Sequence, residues 1–370
     1  MTQVITAQSL ALLDDNESNY IKAKSAPIIK VDKKKWIKSN LFSTPFNSIL
    51  TVGTCLFLIW LVPTLLDWLI FSATFVGDTQ DDCTLGGACW LPIVNRIELF
   101  TYGMYPEEYR WRVELAFGLA LLTIPLLYVK KINKKHVLMY LCILPFAMWF
   151  LLKGGNFGLD SISTTKFAGI MLTLFLAIFG MVFALPLGIL LALGRRSKRP
   201  VIHWLSVAYI ELIRSVPVIT LLFMASLMIQ LFLPSGQEFD VLLRVVAVLV
   251  LFTSAYMAET IRGGLQSIPE GQFEAAKALG FGYWKTMGEI IMPQVLRNSI
   301  PSLLNHFVGI LKETTLVMIV GILDVVGIAS STLSNAKWVG LESEIYAFLA
   351  IFFFLCCFSL SRYAAYLEKQ

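Results

Sequence analysis

The chain has 370 residues, 57% of them hydrophobic and only 15% charged, with 30 basic and 25 acidic residues giving a net charge of +5. A soluble domain carries charge on about a quarter of its residues, so this composition, with a mean hydropathy of +0.71, excludes a soluble globular chain. The small basic excess does not point to nucleic acid: Lys and Arg gather at the ends of apolar runs, as membrane topology requires.

Residues 1–45 read as a polar segment ending in the basic stretch Lys33, Lys34, Lys35 and Lys38. The uncharged run from Ser39 to Leu66 is too long for the core of a cleavable signal. A bilayer core needs about 20 apolar residues per helix, and the sequence predicts about eight spans, near 48–72, 112–129, 136–152, 167–194, 211–233, 241–262, 297–322 and 344–364. With the N-terminus in the cytoplasm, Lys33–Lys38, Lys130-Lys131, Lys134-Lys135, Arg195-Arg196, Lys198-Arg199 and Arg362 fall on the cytoplasmic side. Asp78, Asp81, Asp82, Glu98, Glu107, Glu108, Glu238, Asp240, Glu342 and Glu344 fall on the other. The positive-inside rule then places both termini in the cytoplasm.

Two connections are long. The first, about 73–111, is acidic, faces the periplasm in this topology and carries Cys83 and Cys89, which form either a disulfide or two free thiols. Cys55, Cys142, Cys356 and Cys357 lie in apolar runs as small hydrophobes, and no cysteine or histidine box suggests a metal. The second, from about Gly263 to Arg297, is cytoplasmic and helix-like. Ser267 with Glu270 fits a capping box, Gly280 can end a helix in the left-handed region, and a second short helix from about Tyr283 reaches Met292 and stops at Pro293.

This second connection reads Glu274-Ala275-Ala276, then Gly280, then Ile290 and Met292-Pro293. It resembles the "EAA" coupling loop of ABC importer permeases, with Met292 in place of the usual Leu, a volume-conserving change. Phe157-Gly158-Leu159, Leu185-Pro186-Leu187-Gly188, Leu193-Gly194-Arg195, Tyr209 to Arg214 with Val216-Pro217, and Ala258 to Gly264 resemble the core helices of polar amino-acid permeases. Gly87-Ala88-Cys89-Trp90, Tyr102 to Pro106 and Arg110-Trp111-Arg112 resemble the longer, eight-span subunits of that histidine-permease-like family.

The resemblance implies a type I ABC importer transmembrane fold. Three helices in 46–154 would precede a five-helix permease domain over 155–370. It also implies an ABC ATPase dimer that docks on Glu274, Ala275, Ala276, Gly280, Ile290 and Pro293, a second homologous permease chain, and a periplasmic amino-acid-binding protein. ATP and Mg would belong to the ATPase, with no cofactor on this chain. Gly280 to Thr286 is no phosphate loop, because Trp284 stands where a second glycine is required.

Charged residues inside the spans are costly and line cavities or pair. Glu211 with Arg214, and Glu259 with Arg262, have helical spacing for pairs near the inner ends of their spans, serving as an inner gate or as plain interfacial ion pairs. Lys312 and Glu313 fall about midway along the seventh span, followed by Thr314 and Thr315. A pathway for an amino acid needs partners for its ammonium and carboxylate, so Glu313, Thr314 and Thr315 would line it, with Lys312 on the pathway or paired to a neighbouring subunit or helix; the alternative is a structural pair within the bundle. His306 reads as a hydrogen-bonded packing residue. The competing class is an ion-coupled carrier or channel, which would have no use for the EAA spacing; a membrane scaffold would leave it equally unexplained.

Overall fold

The computed structural model describes residues 32–128, 133–155, 158–232, 234 and 239–368. The expectations resting on residues 1–31, Lys130-Lys131, Phe157 and Glu238 lie outside the described residues. The described chain is helical apart from two isolated β-bridges, Thr74 with Cys89 and Gly169 with Asp324.

Two compact units divide at Asp67. In the first, Lys33–Asn40 is a basic helix capped by Asp32, and Pro45–Leu66 is α1, capped by Thr44, whose hydroxyl accepts from the Asn47 N–H. Proline at the start of α1 costs nothing, because that N–H has no helical partner. No residue of α1 is buried. A helix apolar all round and unburied by protein belongs in lipid.

The second unit, Trp68–Gln370, holds α2 (Arg110–Tyr128), α3 (Lys134–Lys153), α4 (Gly169–Arg195), α5 (Pro200–Ser215), α6 (Val218–Phe223), α7 (Val241–Gln266), α8 (Glu270–Ala278), α9 (Met292–Glu313), α10 (Val325–Leu333) and α11 (Glu342–Glu368). At its centre α4 packs along α7 and reaches α9. Small residues at every fourth position of α4, namely Gly180, Ala184, Gly188 and Ala192, permit this approach. A Cβ on Gly188 would lie 2.8 Å from the Met257 Cβ and 3.1 Å from the Ser254 carbonyl oxygen. Without a hydrophobic drive between helices in lipid, such close packing holds the bundle together.

Residues 68–109 form a cap over one end of this bundle. Its short helices Leu91–Val94 and Ile97–Tyr102 bury Ile93 and Phe100 against Ala168, Val325, Ile328 and Ile345. Phe100 meets Phe348 edge-on, with ring centroids 5.2 Å apart. Gly169 has φ +68°, and a Cβ there would sit 2.3 Å from the Phe100 carbonyl oxygen, so only glycine fits where α4 starts beneath the cap. Asp240 secures the neighbouring start of α7: its carboxylate accepts from the N–H groups of Leu242 and Leu243 and from the Thr164 hydroxyl.

Among the described residues, six helical runs are long and apolar enough to cross a membrane, or seven if one bent pair counts as a single span. The expected second span, α2, is not among them; its first turns carry Arg110, Arg112 and Glu114. The expected fifth span is not straight. Helix α5 starts at Pro200, well before 211, and makes an angle of 103° with the helical run Val218–Phe232. The cause is local. Pro217 has no N–H to continue the helix and forces its predecessor out of the helical region, so Val216 is extended at φ −108°, ψ 133°.

Candidate functional site: the inner elbow and its charged anchor

The connection expected over 263–297 is shorter than its sequence suggests, because helices extend into it from both sides. α7 runs to Gln266, so Gly263 and Gly264 are helical. Ser267 ends α7 instead of opening a capping box: its N–H and hydroxyl both return to the Gly264 carbonyl, and the residue before α8 is Pro269. Helix α8 closes at Gly280, φ +77°. The Gly280 N–H donates to the Lys277 carbonyl and the Phe281 N–H to the Ala276 carbonyl, both at 3.0 Å. These two bonds define a Schellman stop, which needs a left-handed residue at Gly280.

The second arm does not stop at Pro293. A helical run continues from Tyr283 to Val320, through a π-turn at Thr286–Ile291 and on into α9. The wider turn accommodates the residue that lacks an N–H. The Gln294 side-chain amide donates to the Ile290 carbonyl at 2.8 Å.

The elbow therefore has an inner and an outer face. Met287 and Ile291 are buried with Ile261, Leu265, Ile268 and Val295, Ile290 is half-buried against them, and Ala276 is buried. Glu274, Ala275, Gly280 and Pro293 are exposed. At the tip, Leu279, Tyr283 and Trp284 are 75%, 53% and 73% exposed, with the two rings edge to face at 5.3 Å. Arg196 braces the elbow from α4, its guanidinium 4.7 Å from the Phe273 ring centre.

Beside the elbow lies a charged anchor that joins three helices. Arg195, at the end of α4, bonds Glu211 of α5 at 2.9 Å and Glu259 of α7 at 2.7 Å. Arg262 reaches Glu259 at 3.0 Å, and Arg214 reaches it at 3.8 Å. The spacing correctly pairs Glu259 with Arg262. The Glu211–Arg214 pair is replaced by Glu211–Arg195, because the guanidinium of Arg195 reaches Glu211 from α4 while Arg214 turns toward Glu259 and the Tyr256 ring. Sequence spacing could not show Arg195 as the centre, since it acts across helices. On the same side, His306 bonds the Thr260 hydroxyl at 2.8 Å, joining α9 to α7.

The four residues expected along the pathway separate. Lys312 is exposed, and Glu313 and Thr315 are half-buried. Thr314 is fully buried and donates to the Leu311 carbonyl, so it is withdrawn from any surface. Far from the elbow, Cys83 and Cys89 are joined by a disulfide in the cap, with Cα atoms 5.6 Å apart. Cys89, Leu91, Trp338 and Leu341 form one buried cluster, and the buried Glu344 carboxylate accepts from the Cys89 N–H at 3.2 Å.

An all-helical membrane bundle with a hinged two-arm elbow between α7 and α9 defines a permease of the ABC importer class. Residues 184–370 match the family described as "binding-protein-dependent transport system inner membrane component". The chain is 44% identical to the inner membrane amino-acid ABC transporter permease protein YhdY of Escherichia coli, over 90% of this chain and 92% of that protein. It is 36% identical to the glutamate/glutamine/aspartate/asparagine transport system permease protein BztC of Rhodobacter capsulatus, over 94% of this chain and 95% of that one. The crystal structure of an amino acid ABC transporter with histidines matches at 29% identity, covering 54% of this chain and 91% of that one, with a TM-score of 0.48. This chain belongs to the binding-protein-dependent inner membrane component family and is a multi-pass permease subunit of an ABC transporter.

Proposed function

We propose that this subunit imports amino acids, with the elbow on the cytoplasmic side as the joint through which a separate ATPase dimer drives the bundle. The observation that carries this reading is the exposed tip. Leu279, at the end of α8, and Tyr283 and Trp284, at the start of the second arm, stand out from an elbow whose Ala276 is buried. Apolar side chains rimmed by polar residues such as Glu274 and Lys277 mark a protein contact. ATP and Mg would sit on the partner. The amino-acid substrate class is supported by the names of YhdY and BztC.

In this reading both termini are cytoplasmic. A second, homologous permease chain completes the pathway, and a periplasmic binding protein delivers substrate on the side of the cap. Exposed Lys312, with Glu313 and Thr315, faces the pathway and offers opposite charges to a zwitterion. Closure of the ATPase draws two elbows together. The helical run from Tyr283 to Val320 carries that motion into the region of Lys312 without an intervening loop. An ion-coupled carrier has no role for such an elbow.

The test is co-purification of the ATPase with the permease, and ATP hydrolysis stimulated by the loaded binding protein. Trp284→Ala and Glu274→Ala alter exposed side chains and leave the bundle intact. Loss of bound ATPase in both is expected. Full retention of the ATPase and of stimulated hydrolysis would refute the docking role.

A further inference from the structure

Helix α5 carries an apolar stripe on its outside. Val201, Trp204, Leu205 and Leu212 are 68%, 68%, 67% and 65% exposed, and they recur at helical spacing on one face. The opposite face is fixed to the bundle. Ser206 and Ile210 are buried, a Cβ on Gly194 would lie 2.2 Å from the Ser206 hydroxyl, and the Tyr209 hydroxyl donates to the Leu251 carbonyl at 2.9 Å. The stripe is therefore presented outward by a rigid helix. After Ser215 the chain bends by 103°, so α5 runs nearly at right angles to the apolar run that ends at Phe232.

The chain just before α5 is Arg195-Arg196-Ser197-Lys198-Arg199. Arg195 is held by Glu211 and Glu259, and Arg196 lies over Phe273. Lys198 and Arg199 are exposed, and no described carboxylate pairs with either. They stand at the N-terminus of α5, where Pro200 has no N–H and the His203 N–H returns to the Arg199 carbonyl, so the N–H groups of Val201 and Ile202 are left without a helical partner; no side chain caps the helix and no acid lies in the first turn. Positive side chains at the positive end of a helix dipole are unfavourable unless an anion joins them.

From these two features we infer that α5 is an interfacial helix. Its stripe enters the acyl-chain boundary of the leaflet on the elbow's side, and Lys198 and Arg199 with the helix N-terminus bind the headgroup phosphate of an anionic phospholipid. A helix with tryptophan and leucine on one face and basic residues at its end has the composition of a membrane-surface helix. Trp204 suits the depth at which apolar ring and water-facing N–H are both accommodated. Because α5 carries Glu211 of the charged anchor, lipid charge acts on the same three-helix junction that supports the elbow. This inference needs no particular substrate and no bound ATPase.

The full chain in vesicles tests it. Phosphatidylcholine brominated near the headgroup end of its acyl chains should quench the fluorescence lost in Trp204→Phe, and aqueous iodide should not. Accessibility of Trp204 to iodide would overturn the placement. Shielding from both quenchers would also overturn it, in favour of a protein covering the stripe. In a second arm, native mass spectrometry compares retention of phosphatidylglycerol and phosphatidylcholine. The double variant Lys198→Gln with Arg199→Gln should lose roughly tenfold to thirtyfold in phosphatidylglycerol retention, with phosphatidylcholine unchanged. Equal retention of phosphatidylglycerol by the variant would refute the headgroup site.

Discussion

Arg195 bonds Glu211 and Glu259 through a single guanidinium nitrogen, at 2.9 and 2.7 Å, so that α4, α5 and α7 meet at one atom beside the elbow. Glu259 is only 18% exposed and has three cations around it, whereas Glu211 is 56% exposed and touches one.

This asymmetry makes the two carboxylates unequal. Glu259→Gln leaves Arg195, Arg214 and Arg262 facing one another in a half-buried site, and should cost about 1–3 kcal/mol. Glu211→Gln removes a pair open to solvent and should cost about 0–1 kcal/mol. Thermal unfolding in nanodiscs checks the order, and high salt should narrow the gap between wild type and Glu211→Gln. Equal effects of the two substitutions would show that Glu259 is not the centre.

The cap gives the second expectation. The Cys83–Cys89 bridge closes a loop with a sequence separation of 6, and chain entropy for so short a loop gives about 2 kcal/mol. Cys83→Ser with Cys89→Ser should lower the unfolding temperature of the cap by a corresponding amount. Peptide mapping without reductant should show the linked fragment in the wild type. Because Cys89 is buried beside Trp338, the serine variant also loses a packed sulfur, so the loss should exceed that produced by reductant alone.

What the sequence displayed, and what it hid, follows from range. Apolar runs placed α3, α4, α7 and α11 because a span needs only its own residues to be apolar. Gly280 marked the elbow because a left-handed helix stop is a property of one residue and its neighbours. Three features escaped. Pro217 was in view as a local break, but the size of the turn, 103°, is not written in the proline itself. Pro293 looked like a stop, but the preceding π-turn carries the helix past it. The role of Arg195 rests on contacts 16 and 64 residues away, which no local spacing encodes.

Adjacent glycines in α7 provide an internal control. A Cβ on Gly263 meets nothing within 4 Å, whereas one on Gly264 would come 2.3 Å from the Ser299 hydroxyl and 3.3 Å from the Val295 carbonyl oxygen. Gly263→Ala should stabilise the helix by roughly 0.5–1 kcal/mol. Gly264→Ala should destabilise by about 1–3 kcal/mol, as the α7–α9 contact is forced apart next to the elbow. Unfolding temperatures of the two single variants should move in opposite directions. A shared direction would mean that α7 and α9 are not so closely packed.

Asp324 links stability to pH. It precedes α10, between the spans that end at Val320 and begin at Glu342. One carboxylate oxygen accepts from the Gly327 N–H at 2.9 Å, while the other is buried with no partner. Burial raises its pKa from 3.8 to about 6, against the opposing pull of the backbone N–H groups. A raised carboxyl pKa means that the fold favours the protonated form. Its contribution is therefore fully present below 3.8 and is lost as pH rises through about 6. Asp324→Asn keeps the oxygen that caps α10 and removes the charge. The variant should match the wild type near pH 4 and exceed it by on the order of 2 kcal/mol at pH 7.5. Unfolding temperatures measured across that range would decide it: a variant less stable than the wild type at pH 7.5 would show that the ionised carboxylate is held by a favourable partner rather than tolerated at a cost.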